Sequence, residues 1–332
     1  MICVIDRKNT ALRFRAGCLQ LYRKKKMIRS LPLAQLDQVV VYGNPTAETS
    51  VWLNLAEAGV PVVLLSARGT QKSAMLGSTL AVRLPLRRMQ HRLADRDPAC
   101  RAMAAWFIGK KIASYQVPLA VLTRDYRLNS ATFRDFTAKL NHAAHRLDNA
   151  ATVSEVMGVE GSLAQAWFKL LAGILPARYR FTGRNRRPPR DPVNSLLSLA
   201  YTMLFSEIRQ GLLVEGFDTS LGFLHQEYPG REALALDFQE IFRTGVDAFV
   251  LSWLAHTHLD KTSFYYRQEE GCRLAKATRP LFYQAWALFR EEWPRPGKEQ
   301  MDHHGHIREL VAGQTAEARN YMADLLEKFG DI

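Results

Sequence analysis

The sequence predicts an α+β protein, with an N-terminal β-sandwich-like domain followed by a larger all-α domain. Two observations support this fold class. Up to about residue 85, short runs of alternating or β-branched residues are separated by turn-forming residues, which is typical of strands. From about residue 87 onward, apolar residues recur at helical spacing and the alternation almost disappears. This change of pattern predicts two domains, residues 1–85 and 86–332.

The N-terminal domain is predicted to consist of short strands around one helix. Gln38–Tyr42 is the strongest β-branched run, and an amphipathic pattern predicts a helix over Thr46–Ala58. Other strands are predicted at Ile2–Ile5, Ala11–Arg15, Cys18–Tyr22, Met27–Leu31 and Val60–Leu65. In the second domain, helical patterns cover residues 87–115, 118–147 with a break at Asn129-Ser130, 161–175, 192–214, 231–258, 276–292 and 306–329. The run SFYYRQEEGCRL, between the fifth and sixth of these, predicts a hairpin.

The charge balance is the first indication of a partner. Forty-five Lys and Arg residues outnumber 32 Asp and Glu residues, so the formal net charge is +13. This excess indicates a polyanion, either nucleic acid or an anionic membrane surface. The longest apolar run, residues 196–205, is far shorter than the roughly 20 residues that a membrane-spanning helix needs, so no membrane insertion is expected.

The N-terminus and the cysteines indicate a cytoplasmic protein. The opening sequence MICVIDRKN places an acid and two bases where a signal peptide needs an apolar segment. The four cysteines form no CxxC pair and have no zinc-binding spacing. We therefore expect no export, and cysteines that are reduced and mostly buried.

The motif GVEG at 158–161 carries the first candidate ligand, Glu160. The flanking glycines are expected to let the backbone bend tightly and to leave room for a ligand beside the carboxylate. A helix is predicted to begin just after the motif, which would place Glu160 near a helix N-terminus, where negative charge is favourable. The alternative is an ordinary acid in the first turn of a helix.

The second candidate is His225, in the run LGFLHQE. It follows an apolar stretch and precedes a polar loop with Pro229-Gly230, so the imidazole is expected at the edge of a buried element. A neutral imidazole is a common ligand of divalent metals. The alternative is a hydrogen-bonded structural histidine.

Asp237 and Glu240 lie three residues apart on a predicted helix, so their carboxylates point the same way. The neighbouring residues are mostly apolar, which predicts that both acids are at least partly buried. Buried carboxylates are costly without a cation nearby. That cation is Arg243, another base or a metal, and a simple salt bridge remains the alternative.

The segment Arg178–Asn194 reads RYRFTGRNRRPPRDPVN, and residues 161–190 contain no acid. Arginine matches phosphate oxygens with two parallel hydrogen bonds, and Pro188-Pro189 stiffen the loop. Asp191 before Pro192 predicts the N-cap of the following helix. Contacts with the phosphate backbone of DNA are predicted for Arg178, Arg184, Arg186, Arg187 and Arg190. The alternative is a solvated basic face.

Four motifs occur in a fixed order along the chain: GVEG, RPPRDPVNSLLSLAYTML, GFLH and LALDFQEIFR. Together they are far more specific than any one of them. With these motifs the chain resembles the family of CRISPR-associated protein one, the integrase and DNase subunit of CRISPR adaptation. The resemblance covers nearly the whole chain, including the β-rich N-terminal domain and the predicted hairpin.

The resemblance implies a catalytic all-α domain and an N-terminal domain that makes dimer and partner contacts. It implies homodimers that flank a dimer of CRISPR-associated protein two. It also implies a divalent ion, Mg²⁺ or Mn²⁺, held by Glu160, His225 and Glu240, with Asp237 as the neighbouring catalytic acid. Which of the two acids on the later helix binds the ion directly is left open. Arg243 matches a basic position that can hold DNA phosphate.

The expected reaction is metal-dependent transesterification, in which the 3′-hydroxyl of a prespacer duplex attacks a phosphodiester at the edge of a CRISPR repeat. Water in place of the hydroxyl would give endonuclease activity from the same site. No Walker motif is present and no nucleotide cofactor is needed. Two other hypotheses are a metal-dependent nuclease of DNA repair or restriction, and a basic nucleic-acid-binding scaffold without catalysis.

Overall fold

A computed structural model of the chain describes residues 2–5, 9–36, 38–42, 44–60, 62–65, 73–76, 84–186, 188–294 and 304–329. The chain divides into two compact units, Met1–Pro85 and Leu86–Ile332. The first unit is built from strands and the second mostly from helices. The predicted fold class is therefore confirmed.

The described residues of the first unit form two four-stranded sheets and one α-helix. One sheet has the strand order β4-β3-β2-β6 and the other β1-β5-β7-β8. The elements are β1 (Ile2–Ile5), β2 (Thr10–Arg15), β3 (Cys18–Arg23), β4 (Lys26–Pro32), β5 (Gln38–Tyr42), β6 (Thr46–Ala47), α1 (Thr49–Glu57), β7 (Val62–Leu65) and β8 (Ser73–Leu76). The sequence did not indicate that β1, β5 and β7 are parallel to one another.

Alternating apolar residues bring the two sheets into one core. Leu12 on β2 faces Leu21 on β3, and both are buried. They belong to the same hydrophobic cluster as Val39 of β5, Val62 of β7 and Leu55 of α1. A strand with alternating side chains can bury one face in this way.

The second unit contains nine described helices and two described two-stranded sheets. Its elements are α2 (Leu84–Ala94), α3 (Asp97–Ser114), α4 (Gln116–Tyr126), α5 (Ser130–Asp148), α6 (Val153–Ile174), α7 (Pro192–Glu215), α8 (Ala233–His256), β9 (Phe264–Arg267), β10 (Gly271–Leu274), α9 (Arg279–Glu291), β11 (Trp293–Pro294), β12 (His304–Gly305) and α10 (Ile307–Phe329). The hairpin β9–β10 is antiparallel, as its sequence predicted. Within the described ranges, no helix is both long and apolar enough to cross a membrane.

Helix α8 is the centre of this unit. It packs against α3, α4 and α7, and from Ala233 to Leu254 all but three of its residues are buried. A helix that is apolar on every side is typical of a core helix. Two of the acids predicted from sequence, Asp237 and Glu240, therefore lie in the buried core of the domain.

The first predicted helix of this unit is two helices in the structure, whereas the predicted break in the second is confirmed. The pattern over 87–115 is two helices, since α2 ends at Ala94 and α3 begins at Asp97 with Pro98 in its first turn. Proline is favourable there but would break a continuous helix. The break near Asn129 is confirmed, because its side chain accepts a hydrogen bond from the N–H of Thr132 (2.8 Å) and caps α5.

Helix α6 also starts earlier than predicted. Thr152 Oγ1 accepts a hydrogen bond from the N–H of Glu155 (3.2 Å), and Glu155 Oε2 accepts one from the N–H of Ala151 (2.7 Å). This arrangement resembles a capping box, except that Glu155 bonds the N–H of the residue before the N-cap, and its sequence TVSE is a recognisable helix start. The prediction that the helix begins after Gly161 is therefore wrong, and GVEG lies inside α6.

Candidate active site

The glycines beside Glu160 do not bend the chain. Among the described residues with positive φ, neither Gly158 nor Gly161 appears, so the expected tight bend is absent. A Cβ added at either position would meet nothing within 4 Å. Both glycines therefore face open space on α6.

Lys111, on α3, joins the two predicted acidic ligands. Its Nζ lies 2.5 Å from Glu160 Oε1 and 2.6 Å from Glu240 Oε2. Lys111 is 3% exposed, and its contact with Glu240 is buried, whereas its contact with Glu160 lies at the partly exposed edge of the cluster. Helices α3, α6 and α8 thus contribute one charged group each to a cluster that we call the carboxylate pair, Glu160 and Glu240 with Lys111.

A second cation holds the other oxygen of Glu240. Arg243, one turn further along α8, donates from NH1 to Glu240 Oε1 (2.7 Å). Burial by itself raises the pKa of Glu240, but Arg243 and Lys111 outweigh it and lower the pKa to about 2. Glu240 is therefore an ionised, buried carboxylate with both oxygens bonded.

Asp237 is bound in a different way, by the loop that carries His225. Asp237 Oδ2 accepts hydrogen bonds from the N–H groups of Phe223 (2.6 Å) and Leu224 (3.0 Å). Asp237 Oδ1 accepts from the N–H of His225 (2.9 Å) and bonds its Nδ1 (2.7 Å). Asp237 is 0% exposed. We call this arrangement the histidine clasp, residues 223–225 around Asp237.

The clasp requires glycine at position 222. A Cβ there would lie 2.8 Å from Ala233 Cβ and 2.9 Å from Asp237 Oδ2. The same loop is fixed from α2, where Gln90 Nε2 donates to the carbonyl oxygens of Asp218 (2.8 Å) and Leu221 (2.7 Å). In the motif GFLH, the backbone N–H groups of the last three residues therefore surround one buried carboxylate, that of Asp237.

The structure thus gathers the predicted residues in two pairs. Glu160 and Glu240 meet at Lys111, whereas His225 meets Asp237. Within the part of the chain that the structure describes, no three His, Cys, Asp or Glu side chains are grouped as a metal centre. Sequence reasoning did not identify Lys111 or Gln90, because neither belongs to a recognisable motif.

The predicted DNA-binding arginines have different environments. Arg184 donates to the carbonyl oxygen of Asn185 (2.7 Å), to Asn194 Oδ1 (2.8 Å) and to Ser198 Oγ (3.2 Å). Burial lowers the pKa of Arg184 to about 10. Its contacts shape the loop, so its guanidinium does not point freely to solvent. Arg178 is exposed, bonds the hydroxyl of Tyr179 (3.1 Å) and lies over its ring.

Two other arginines of the segment are exposed, Arg186 and Arg190. Arg186 makes no hydrogen bond or ion pair with any residue that the structure describes. It lines a pocket next to the carboxylate pair together with Arg184, Arg243 and Lys111. Arg187, also predicted to bind DNA, lies outside the described residues.

A buried acid that sequence reasoning missed borders the same pocket. Asp247 accepts a hydrogen bond from the hydroxyl of Tyr201, and burial raises the pKa of Asp247 to about 6. The guanidinium groups of Arg243 and Arg184 lie over the Tyr201 ring, at 4.9 and 5.5 Å from its centre. Such cation–π contacts fix the orientation of a guanidinium.

The hairpin β9–β10 supports the arginine segment from behind. The N–H of Cys272 donates to the carbonyl oxygen of Pro189 (2.7 Å). Gly271 has φ +70°, and a Cβ there would lie 2.1 Å from the same oxygen. Two residues after Pro189, Asp191 caps α7 as predicted, accepting from the N–H of Asn194 (2.8 Å).

Comparison with known proteins decides the family. A family model described as CRISPR associated protein Cas1 matches residues 3–287. The chain belongs to the Cas1 family. Every residue of the carboxylate pair and the histidine clasp lies within the matched range, as does the arginine segment. The resemblance predicted from the four motifs is confirmed.

Named Cas1 relatives match most of the chain. CRISPR-associated endonuclease Cas1 1 of Thermodesulfovibrio yellowstonii is 33% identical over 292 residues, which cover 87% of this chain and 90% of the relative. CRISPR-associated endonuclease Cas1 3 of Thermus thermophilus is 34% identical over 275 residues, which cover 81% and 79%.

Solved structures share the Cas1 fold over nearly the whole chain. A Cas1 protein from Thermotoga maritima has a TM-score of 0.73 at 18% identity, covering 97% of both chains. A casposase bound to integration product has a TM-score of 0.74 at 19% identity, covering 97% of this chain and 90% of its own. A chain of a partial Cas6-RT-Cas1–Cas2 complex has a TM-score of 0.70 at 23% identity, covering 98% and 96%.

Proposed function

We propose that this protein is a metal-dependent DNA endonuclease and integrase of CRISPR adaptation, which joins the 3′-hydroxyl ends of a prespacer to the CRISPR repeat. Family membership and the endonuclease names of the relatives support the nuclease part. The fold shared with a casposase bound to integration product agrees with the joining reaction.

The observation that carries the metal proposal is the carboxylate pair. Oxygens of Glu160 and Glu240, from two different helices, both lie within 2.6 Å of one cationic atom. Two carboxylates that share one cation position suit Mg²⁺ or Mn²⁺, and His225 lies near enough for its charge to help lower the pKa of Glu240. In donor chemistry Glu160, Glu240 and His225 would fit a divalent ion, although the described structure holds them as two pairs and not as one group.

The histidine clasp supports Glu240, rather than Asp237, as the direct ligand from α8. The oxygens of Asp237 are held by three backbone N–H groups and the His225 ring, which move only with the loop, whereas those of Glu240 are held by cationic side chains that can move by themselves. When Nδ1–H is donated to a carboxylate, the lone pair of a neutral imidazole is on Nε2. Asp237 would thus orient the ring and leave Nε2 for the ion.

In the proposed reaction a bound ion would polarise the scissile phosphodiester and stabilise charge on the departing oxygen. The protein's own groups have separate tasks. Arg243 and Lys111 keep Glu240 ionised. Exposed Arg186, beside the site, would bind a backbone phosphate and position the DNA without reading its bases.

The proposal includes partners and location. We expect the protein to act on DNA as a homodimer that assembles with Cas2, with the N-terminal domain making dimer and partner contacts, in the cytoplasm. A fold shared with a chain of a Cas1–Cas2 assembly supports the Cas2 partner, and another solved structure of the family is a Cas1–DNA complex. The net charge of +13 favours a polyanionic substrate.

The test is a joining assay with a prespacer duplex and a repeat-bearing plasmid, in Mn²⁺, with Cas2 present. We expect Glu160→Gln and His225→Ala to fold and bind DNA but to lose joining by about 100-fold or more. Glu317→Gln, which changes an exposed acid on α10, is the matched control and keeps full activity.

Three outcomes would contradict the proposal. Full joining by Glu160→Gln would show that Glu160 is not part of the active site. Joining without any divalent ion would show that the reaction does not need a metal. Cleavage only at unrelated sites would favour a nuclease of DNA repair or restriction. If the wild type bound DNA without joining or cleaving it, a non-catalytic scaffold would be favoured instead.

A further inference from the structure

Lys111 occupies the position between two carboxylates where a divalent ion is expected. It bonds Glu160 and Glu240 at 2.5 and 2.6 Å, and its side chain is 4% exposed. A buried ammonium of this kind is a strong counterion, because little water screens its charge. It therefore competes for the same oxygens as any metal.

The hydrogen bonds of Glu240 make this competition unavoidable. Its Oε1 bonds Arg243 and its Oε2 bonds Lys111, so a metal that binds Glu240 has to displace or crowd one of these cations. The formal charges also oppose binding. Two carboxylates and two cations cancel, which leaves no net negative charge to attract a dication.

Of the two cations, Lys111 is the one that can leave. Arg243 lies over the ring of Tyr201, at 4.9 Å from its centre, and its planar guanidinium is fixed by that stacking. Lysine carries a compact charge on a flexible four-carbon stem and makes no directional contact of this sort. The Glu160 side chain, 23% exposed, gives the ammonium a route toward solvent.

We infer that Lys111 is a built-in competitor of the catalytic metal, a positioning residue that holds Glu160 and Glu240 together and leaves them when a divalent ion binds. This inference rests on the proposed metal-dependent function. Lys111 thereby sets the metal concentration at which the site becomes active, and it keeps two like charges close together until the ion arrives.

The first test measures Mn²⁺ binding to the full chain by the electron paramagnetic resonance signal of free Mn²⁺. Lys111→Met keeps an unbranched side chain and removes the charge, so its Kd for Mn²⁺ should be about tenfold lower than that of the wild type. The matched control is Lys110→Met, which removes the same charge one residue earlier. Lys110 pairs with the exposed Glu317 and not with the carboxylate pair, so the Kd of Lys110→Met for Mn²⁺ should equal that of the wild type.

A second test uses the wild type, in case Lys111→Met does not fold. Acetic anhydride should acetylate Lys111 slowly without Mn²⁺ and several-fold faster at saturating Mn²⁺, as measured by mass spectrometry of peptides. Lys110 serves as the internal reference, and its acetylation should be the same in both conditions.

The outcomes separate this inference from the proposed function. If Mn²⁺ binds the wild type and Lys111→Met equally well, or Lys111 stays protected at saturating Mn²⁺, Lys111 is no competitor and the inference alone is overturned. If neither protein binds Mn²⁺, the metal dependence in the proposed function is contradicted as well. Tighter binding by Lys111→Met, with Lys110→Met unchanged, supports both.

Discussion

Asp237 and Glu240 lie one turn apart on α8 and are both buried, yet they are bound in opposite ways. Asp237 is held by three backbone N–H groups and the His225 ring. Glu240 is held by the side chains of two cations, Lys111 and Arg243. Backbone donors move only with the whole loop, whereas a lysine side chain moves alone.

The comparison assigns different roles to two acids that look alike in sequence. The histidine clasp is a fixed support, and its energy is tied to the fold of the loop. The carboxylate pair is an exchangeable site, where one cation can replace another. Changes in the clasp should therefore affect stability most, and changes in the pair should affect metal binding most.

The largest effect is expected from Asp237→Asn. An amide of the same size turns an NH₂ group toward buried N–H donors, and unsatisfied buried donors cost about 1–3 kcal/mol each, so we expect a loss of about 3–5 kcal/mol. Urea unfolding measures it. Glu240→Gln should cost less, since its one remaining oxygen can still accept from Arg243 while Lys111 keeps its bond to Glu160. Equal losses in both variants would remove the distinction between clasp and pair.

The next effect is a pH dependence from Asp247, further along α8. Its folded pKa of about 6 lies above the ordinary 3.8, so the folded state binds the proton more tightly. Its contribution to stability is therefore full below about pH 4, falls as the pH rises toward 6, and amounts to about 3 kcal/mol. Glu240, with its pKa lowered to about 2, contributes in the opposite direction, losing stability as the pH falls below about 4.5.

Asp247→Asn isolates this effect. The stability of the variant relative to the wild type, from urea unfolding at pH 4 to 7, should increase up to pH 6 and then stay constant. Asp324→Asn, at an exposed position on α10, should show no such trend. A flat difference for Asp247→Asn would mean that this carboxyl is not perturbed by burial.

A smaller effect comes from two glycine motifs that look alike in sequence. Gly222→Ala places a Cβ 2.9 Å from Asp237 Oδ2, which should cost about 1–3 kcal/mol. Gly158→Ala, inside α6 with nothing within 4 Å, should instead stabilise by about 0.5–1 kcal/mol through helix propensity. Thermal unfolding of both variants measures the contrast, and effects of the same sign would contradict it.

The smallest expected effect concerns DNA affinity. Arg186→Ala should weaken binding to any DNA sequence only a few-fold. It should also reduce the slope of log affinity against log salt concentration by about one, since one phosphate contact is lost. Fluorescence anisotropy at several salt concentrations checks this. Arg184→Ala should mainly destabilise the loop, because its hydrogen bonds are internal. An unchanged salt slope in Arg186→Ala would exclude a phosphate contact.

Local patterns predicted most of the fold. The change near residue 85, the hairpin β9–β10, the break at Asn129 and the cap at Asp191 follow from periodicity and hydrogen-bonding chemistry within a few residues. The glycines of GVEG predict a bend, whereas Thr152 and Glu155, three residues apart, start α6 ahead of the motif. Tertiary packing supports glycines inside a helix that would be weak in isolation.

The site was predicted less completely. Glu160, His225, Asp237 and Glu240 stand out by their motifs, but Lys111 does not, since it is one of two consecutive lysines in an ordinary helix and lies 49 positions from Glu160. A phosphate contact was predicted for Arg184 because it is an arginine in a basic segment. Its internal hydrogen bonds depend on where Asn194 and Ser198 lie on α7, which charge counting does not show.

The sequence by itself determined the two-domain α+β architecture, the family and the identities of the acids and the histidine, because these depend on local pattern and on motif order. Only the tertiary structure decided that Asp237 holds His225, that Lys111 joins Glu160 to Glu240, and which arginines face solvent. Buried charges interact strongly with whichever groups lie a few ångströms away. Those neighbours come from helices distant in the chain, and only packing brings them together.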